Sequence, residues 1–153
     1  MRIRNALFEL NIPPLKAPTM GNSGLPALIP YSTITQEDVL LILTQKMYEL
    51  SDNQSDIHIP DDANKIYRKK DVMAYRGLKE ILSIKYVKEE HDCDDFARKM
   101  FGEFAGLVWT TKHSLNYFID ENKKLWFLEP QTGVISDTLE GWQGSDFRLW
   151  VGA

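Results

Sequence analysis

Apolar residues Val39, Leu40, Leu43, Met47 and Leu50 recur at helical spacing, and Thr35 followed by Asp38 gives a start signal, so the pattern predicts a helix over 36–50. Ser51 to Asn64 is polar and acidic with Pro60 inside, and reads as a long loop. Ile66 and Tyr67 read as a short strand. Asp71 then reads as the cap of a second helix, which buries Val72, Met73, Tyr75, Leu78, Ile81 and Leu82 and ends near Ser83.

A brief β-branched stretch, 84–87, leads into an acidic run and then into a third helix. Phe96, Ala97, Met100, Phe101 and Phe104 recur at spacings of three and four from Cys93 onward, with Asp92 as the N-cap. Past Gly106 the pattern changes. Segments 107–111, 113–120, 124–129, a weaker one near 134, and 148–151 are rich in β-branched and aromatic residues, as strands are. The expected class is α+β, helices packed on an antiparallel sheet.

Residues 1–34 carry Pro13, Pro14, Pro18, Pro26 and Pro30 with a Gly-Asn-Ser-Gly run, which forbids long helices. Apolar residues such as Leu7, Leu10 and Ile12 make this an extended arm that packs on the domain or on a neighbouring copy, giving a possible homo-oligomer. Residues 35–153 then form a single domain. Hydrophobic residues at 43% and charged residues at 26% fit one folded core.

The net charge of −4 and the scattered basic residues argue against nucleic acid as a partner. No apolar run approaches bilayer length and the N-terminus lacks a signal-peptide core, so no membrane partner is expected and the cytoplasm is the default compartment. A single cysteine also rules out an internal disulfide.

That cysteine, Cys93, carries the chemistry. Neighbouring acids disfavour a thiolate, whereas a place in the first helical turn favours one. A hairpin turning over Asp120 to Lys123 pairs residues whose indices sum to about 243, which sets His113 beside Glu129. Thiol, imidazole and carboxylate in that order give a nucleophile, a base and a group to orient the base. Gln131, Asn64 or Gln45 could add a side-chain donor. Asp92, Asp94, Asp95, Glu89 and Glu90 offer hard oxygen ligands, and Trp142, flanked by glycine, reads as a cleft rim.

Asp92-Cys93-Asp94-Asp95-Phe96-Ala97, His113-Ser114-Leu115-Asn116 and Leu128-Glu129-Pro130-Gln131-Thr132 together resemble the C-terminal cysteine-peptidase domain of Marasmius oreades agglutinin and its relatives. More distantly, the cysteine motif resembles the LapG-type bacterial transglutaminase-like cysteine peptidases. The resemblance spans about 85–135. It implies a papain-like/transglutaminase-like fold, a Cys93-His113-Glu129 triad, and Ca²⁺ or Mn²⁺ held by the acids around Cys93. The expected function is then a thiol hydrolase cleaving an amide bond of a protein or peptide substrate. A transglutaminase or peptidoglycan amidase using the same residues, or a silent papain-like relic with a structural or assembly role, are the alternatives.

Overall fold

The computed structural model describes residues 27–142 and 144–153. In chain order the elements are β1 (Ser32–Thr35), α1 (Gln36–Leu50), β2 (Asp56–His58), β3 (Ala63–Ile66), α2 (Lys69–Ala74), α3 (Arg76–Leu82), α4 (Cys93–Glu103), β4 (Gly106–Thr110), β5 (Ser114–Ile119), β6 (Leu125–Leu128), β7 (Ile135–Ser136) and β8 (Phe147–Val151).

The main sheet has the order β2-β8-β4-β5-β6-β7, and β1 with β3 forms a separate antiparallel pair. Among the described strands of the main sheet only β2 with β8 is parallel. The expected all-antiparallel sheet is therefore corrected at this edge. Two apolar layers cover its faces. Val39, Leu43 and Met47 of α1 join Leu115, Tyr117, Phe127 and Trp150 on one side. Phe96, Met100 and Phe104, from α4 and its C-cap, join Phe118 and Leu128 on the other. Alternation along β5 sends odd-numbered residues to the first layer and even-numbered ones to the second.

Helices α1 and α4 start where their caps dictate. The Thr35 hydroxyl accepts from the Asp38 amide at 3.2 Å, a cap worth about 1 kcal/mol. Ahead of α4, the Asp95 carboxylate accepts from the Asp92 amide at 3.4 Å. Burying side chains such as Phe96 and Met100 contributes about 2 kcal/mol each, and this apolar stripe seats α4 on β5. Asn116, completely buried beneath it, donates to the carbonyls of Ala97 at 2.9 Å and Gly106 at 3.0 Å, tying helix to sheet.

Three expectations change. The loop expected over 51–64 contains β2 and part of β3, because distant partners complete their ladders. The second helix is two short ones, broken at Tyr75, whose backbone is extended at φ −66° and ψ 123°. The Tyr75 hydroxyl donates to Glu103 at 2.6 Å and its ring meets Phe104 edge-on, so packing against α4 outweighs helical continuity. Asp71 lies inside α2 and does not cap it. The proline-rich arm falls outside the described residues up to 26, while Ser32 to Ile34 of its expected span belong to β1. No helix among the described residues is long and apolar enough to cross a membrane.

Candidate functional site

The end of the main sheet where β5 begins and β6 finishes opens into a cavity of about 550 Å³, whose walls include Cys93, His113, Glu129, Gln131, Tyr86 and Trp142. Cys93 reaches it from the first turn of α4, the helix on one face of the sheet. His113 precedes β5 by one residue and Glu129 follows β6 by one, so both approach from the sheet itself. The expected trio thus lines one cavity.

The hairpin register differs by one from expectation. Ile119 pairs with Leu125 and Tyr117 with Phe127, because Lys123 adopts φ 60° and the Asp120 amide donates to the Lys124 carbonyl across a longer loop. Asp120 fixes that loop by accepting from the amides of Asn122 at 2.8 Å and Lys124 at 3.0 Å. His113 still meets Glu129, with Nε2 at 2.5 Å from Oε2. The other carboxylate oxygen accepts from the Gln131 amide at 3.1 Å, while the His113 amide donates to the Thr110 hydroxyl at 3.1 Å. The Glu129 carboxylate is thus held at two points, and His113 is fixed through its imidazole and its backbone amide. Among the described residues no hydrogen bond joins Cys93 to His113, so the trio is assembled as an oriented imidazole-carboxylate couple with a separate thiol.

Of the five acids expected around a metal, two converge. Ligand atoms of Asp92, Cys93 and Asp94 lie within 4.8 Å of one another. The side-chain contact between the two carboxyls lowers Asp92 below the usual carboxylate range and raises Asp94 above it. One Asp92 oxygen is buried without a partner among the described residues. Asp95 is turned to Arg98, and Glu89 and Glu90 stay exposed in the preceding turn outside this cluster.

Trp142 is among the lining residues, and Gln131 is the one of the three proposed amide donors that reaches the cavity. Tyr86, Lys112 and Thr132 also line it. They carry no periodic signal: Lys112 comes from the β4–β5 turn, Thr132 from the turn between β6 and β7, and Tyr86 from the segment ahead of α4.

No family model and no curated protein matches the chain. Solved structures do. A "PSL1a-E64 complex" matches with a TM-score of 0.63 at 19% identity, covering 78% of this chain and 50% of that one. Polyporus squamosus lectin bound to the human-type influenza-binding epitope Neu5Aca2-6Galb1-4GlcNAc matches with a TM-score of 0.60 at 16% identity, covering 78% and 49%. The chain spans about half the length of these structures and shares its fold with that half. They correct the expected kinship with cysteine peptidases: the structures that match are those of a lectin. With it go the reading as an amide-cleaving thiol hydrolase, its transglutaminase, amidase and papain-like-relic alternatives, and the protein or peptide substrate.

Proposed function

We propose that this domain is a ligand-binding module, and that the cavity at Cys93, His113 and Glu129 holds a polar molecule of the saccharide class. One observation carries the reading: a cavity of about 550 Å³ sets an aromatic side chain, Trp142, among His113, Glu129 and Gln131. A sugar offers C–H groups that stack on an aromatic face and hydroxyls that pair with carboxylate and amide, which is the mixture such a pocket needs. The glycan held by the neighbouring lectin supports the same class.

The test is a titration with Neu5Acα2-6Galβ1-4GlcNAc followed by amide chemical shifts. Shifts centred on 112–113, 129–134 and 141–142 are expected, with affinity falling about tenfold or more in Trp142→Ala. Saturating glycan that leaves these amides unmoved would sink the reading.

A second reading rests on the thiol. Cys93 sits in the first turn of α4, where the helix dipole favours an anion, and shares its cavity with His113; one matching structure is a complex with E64. In this reading Cys93 sulfur attacks an epoxide carbon of E64: the S–C bond forms as the ring C–O bond breaks, and the thiol proton passes by way of His113 to the released oxygen. Incubation with E64 followed by intact mass measurement would reveal one adduct in the parent and none in Cys93→Ala. An unmodified parent removes this reading and leaves the glycan reading standing.

Ca²⁺ or Mn²⁺ is proposed between Asp92 and Asp94, whose ligand atoms lie within 4.8 Å of each other, where the cation would engage both carboxylates, including the Asp92 oxygen without a partner among the described residues. Its oxygens suit hard cations better than the nearby sulfur does. A rise in Tm with added Ca²⁺ that disappears in Asp92→Asn is the expected result, and the same rise in both proteins would place the ion elsewhere.

A further inference from the structure

A second cavity, of about 230 Å³, lies at the seam between the small sheet and the main one and shares no lining residue with the Cys93 cavity. Its walls include Tyr67, Tyr117, Asn64, Phe101, Phe104 and Gly106. The volume greatly exceeds the room one water needs.

Two phenols meet there from different cores. Tyr67 belongs to the layer under α4 and Tyr117 to the layer under α1. Each is only 4% exposed. Among the described residues neither hydroxyl makes a hydrogen bond, and burial alone raises both above the ordinary phenol range. Both phenols therefore stay protonated and remain donors.

Gly106 makes this placement of Tyr117 possible. A Cβ built there would lie 2.2 Å from ring atoms Cε1 and Cζ and 2.7 Å from the hydroxyl. The end of the phenol thus rests against the glycine backbone at the cavity wall. Asn64, 7% exposed, spends its amide nitrogen on the Asp61 carbonyl at 2.8 Å, which leaves its side-chain oxygen as an acceptor. Val39, Phe101, Phe104 and Phe118 add apolar side chains to a wall that is otherwise mostly polar, and the charged lining residues are Asp61, Glu103 and Lys65, two acids against one base. That balance disfavours a small anion.

We propose that this seam cavity is a second ligand site, taking a compact uncharged molecule with an apolar body and a carboxamide group. The carbonyl accepts from the Tyr67 and Tyr117 phenols, the amide nitrogen donates to Asn64, and the apolar body lies toward Phe101 and Phe104.

Benzamide is a suitable probe, with benzoate as its charged counterpart, read by amide chemical shifts and by Tm at millimolar ligand. The expected result is shifts at 63–67, 101–106 and 117–119, a rise in Tm, and an affinity about tenfold lower in Tyr67→Phe or Tyr117→Phe and for benzoate. Both Phe variants keep the ring and give up no partner among the described residues, so they are expected to fold as the parent does. A clear fall in Tm on either substitution would mean that the hydroxyl is already paired within the protein and would overturn the proposal. Benzamide shifts that are absent from the cavity, or unchanged in the Phe variants, would overturn it too.

Discussion

His113 and Glu129 meet on a diagonal of the β5–β6 ladder. The last paired residues are Asn116 and Leu128, so the register carries Glu129 opposite Leu115, yet its carboxylate reaches back to His113 Nε2 at 2.5 Å. Its second oxygen holds the Gln131 amide, and this one carboxylate joins the start of β5 to the turn that follows β6.

Removing the carboxylate in Glu129→Ala leaves the mostly buried imidazole and the Gln131 amide without it. A loss of about 1–3 kcal/mol is expected, measured by urea denaturation, with chemical shifts moving most at 112–113 and 129–133. A variant as stable as the parent would show that the turn keeps its shape without Glu129.

Asn116→Ala removes a side-chain donor from two carbonyls, those of Ala97 and Gly106, and opens a small cavity under α4. Stability is expected to fall by about 3 kcal/mol. Because α4 carries Cys93, the cysteine should also become more accessible to alkylation; an unchanged alkylation rate would separate the helix anchor from the site.

Lys123 occupies the left-handed region at φ 60°, and its ammonium pairs with Asp38 at 3.0 Å on the surface. Lys123→Gly relieves the backbone cost and gives up only an exposed ion pair, so stability should hold or rise by up to about 1 kcal/mol. Lys123→Val should lose about 1–2 kcal/mol by the same reasoning. Thermal denaturation of the two variants decides it, and equal Tm values would argue that the loop relaxes out of this conformation.

Lys124 lies 2.7 Å from Asp137 and holds its carboxyl below the usual range. A carboxylate whose folded pKa is depressed stabilises the fold above its unfolded pKa, and that contribution is lost as pH falls through the folded value. Asp137→Asn should therefore cost at most about 1 kcal/mol near neutrality, given the solvent screening of this exposed pair. Parent and variant should converge in stability as acid protonates the carboxyl; a gap that persists there would assign the effect to packing.

The elements that the sequence announces most clearly are those whose start signal and apolar stripe agree, as in α1 and α4. Both begin at the expected residue, and α1 ends there too. What the pattern hides is non-local. Asp56 to His58 is too short and polar to read as a strand, and becomes one because Leu149 to Val151 lies beside it. Tyr75 sits in a helical pattern until its hydroxyl finds Glu103. The hairpin carried His113 to Glu129 despite the wrong register, since one diagonal step is within the reach of long side chains. Cys93, His113, Glu129 and Trp142 were legible as pocket residues from chemistry and turn signals, whereas Tyr86 and Lys112 enter the cavity through chain reversals that leave no local trace.

Strand β8 lies between β2 and β4, so residues 147–151 are an interior member of a sheet whose other strands begin as early as Asp56. On the ribosome, β4, β5 and β6 can pair as hairpins soon after they emerge, but β2 has no place in the sheet until β8 arrives. The parallel edge therefore waits for β8, across a separation of roughly ninety residues whose closure entropy makes it slow. Trp150, fully buried when β8 inserts, becomes a built-in reporter of that step.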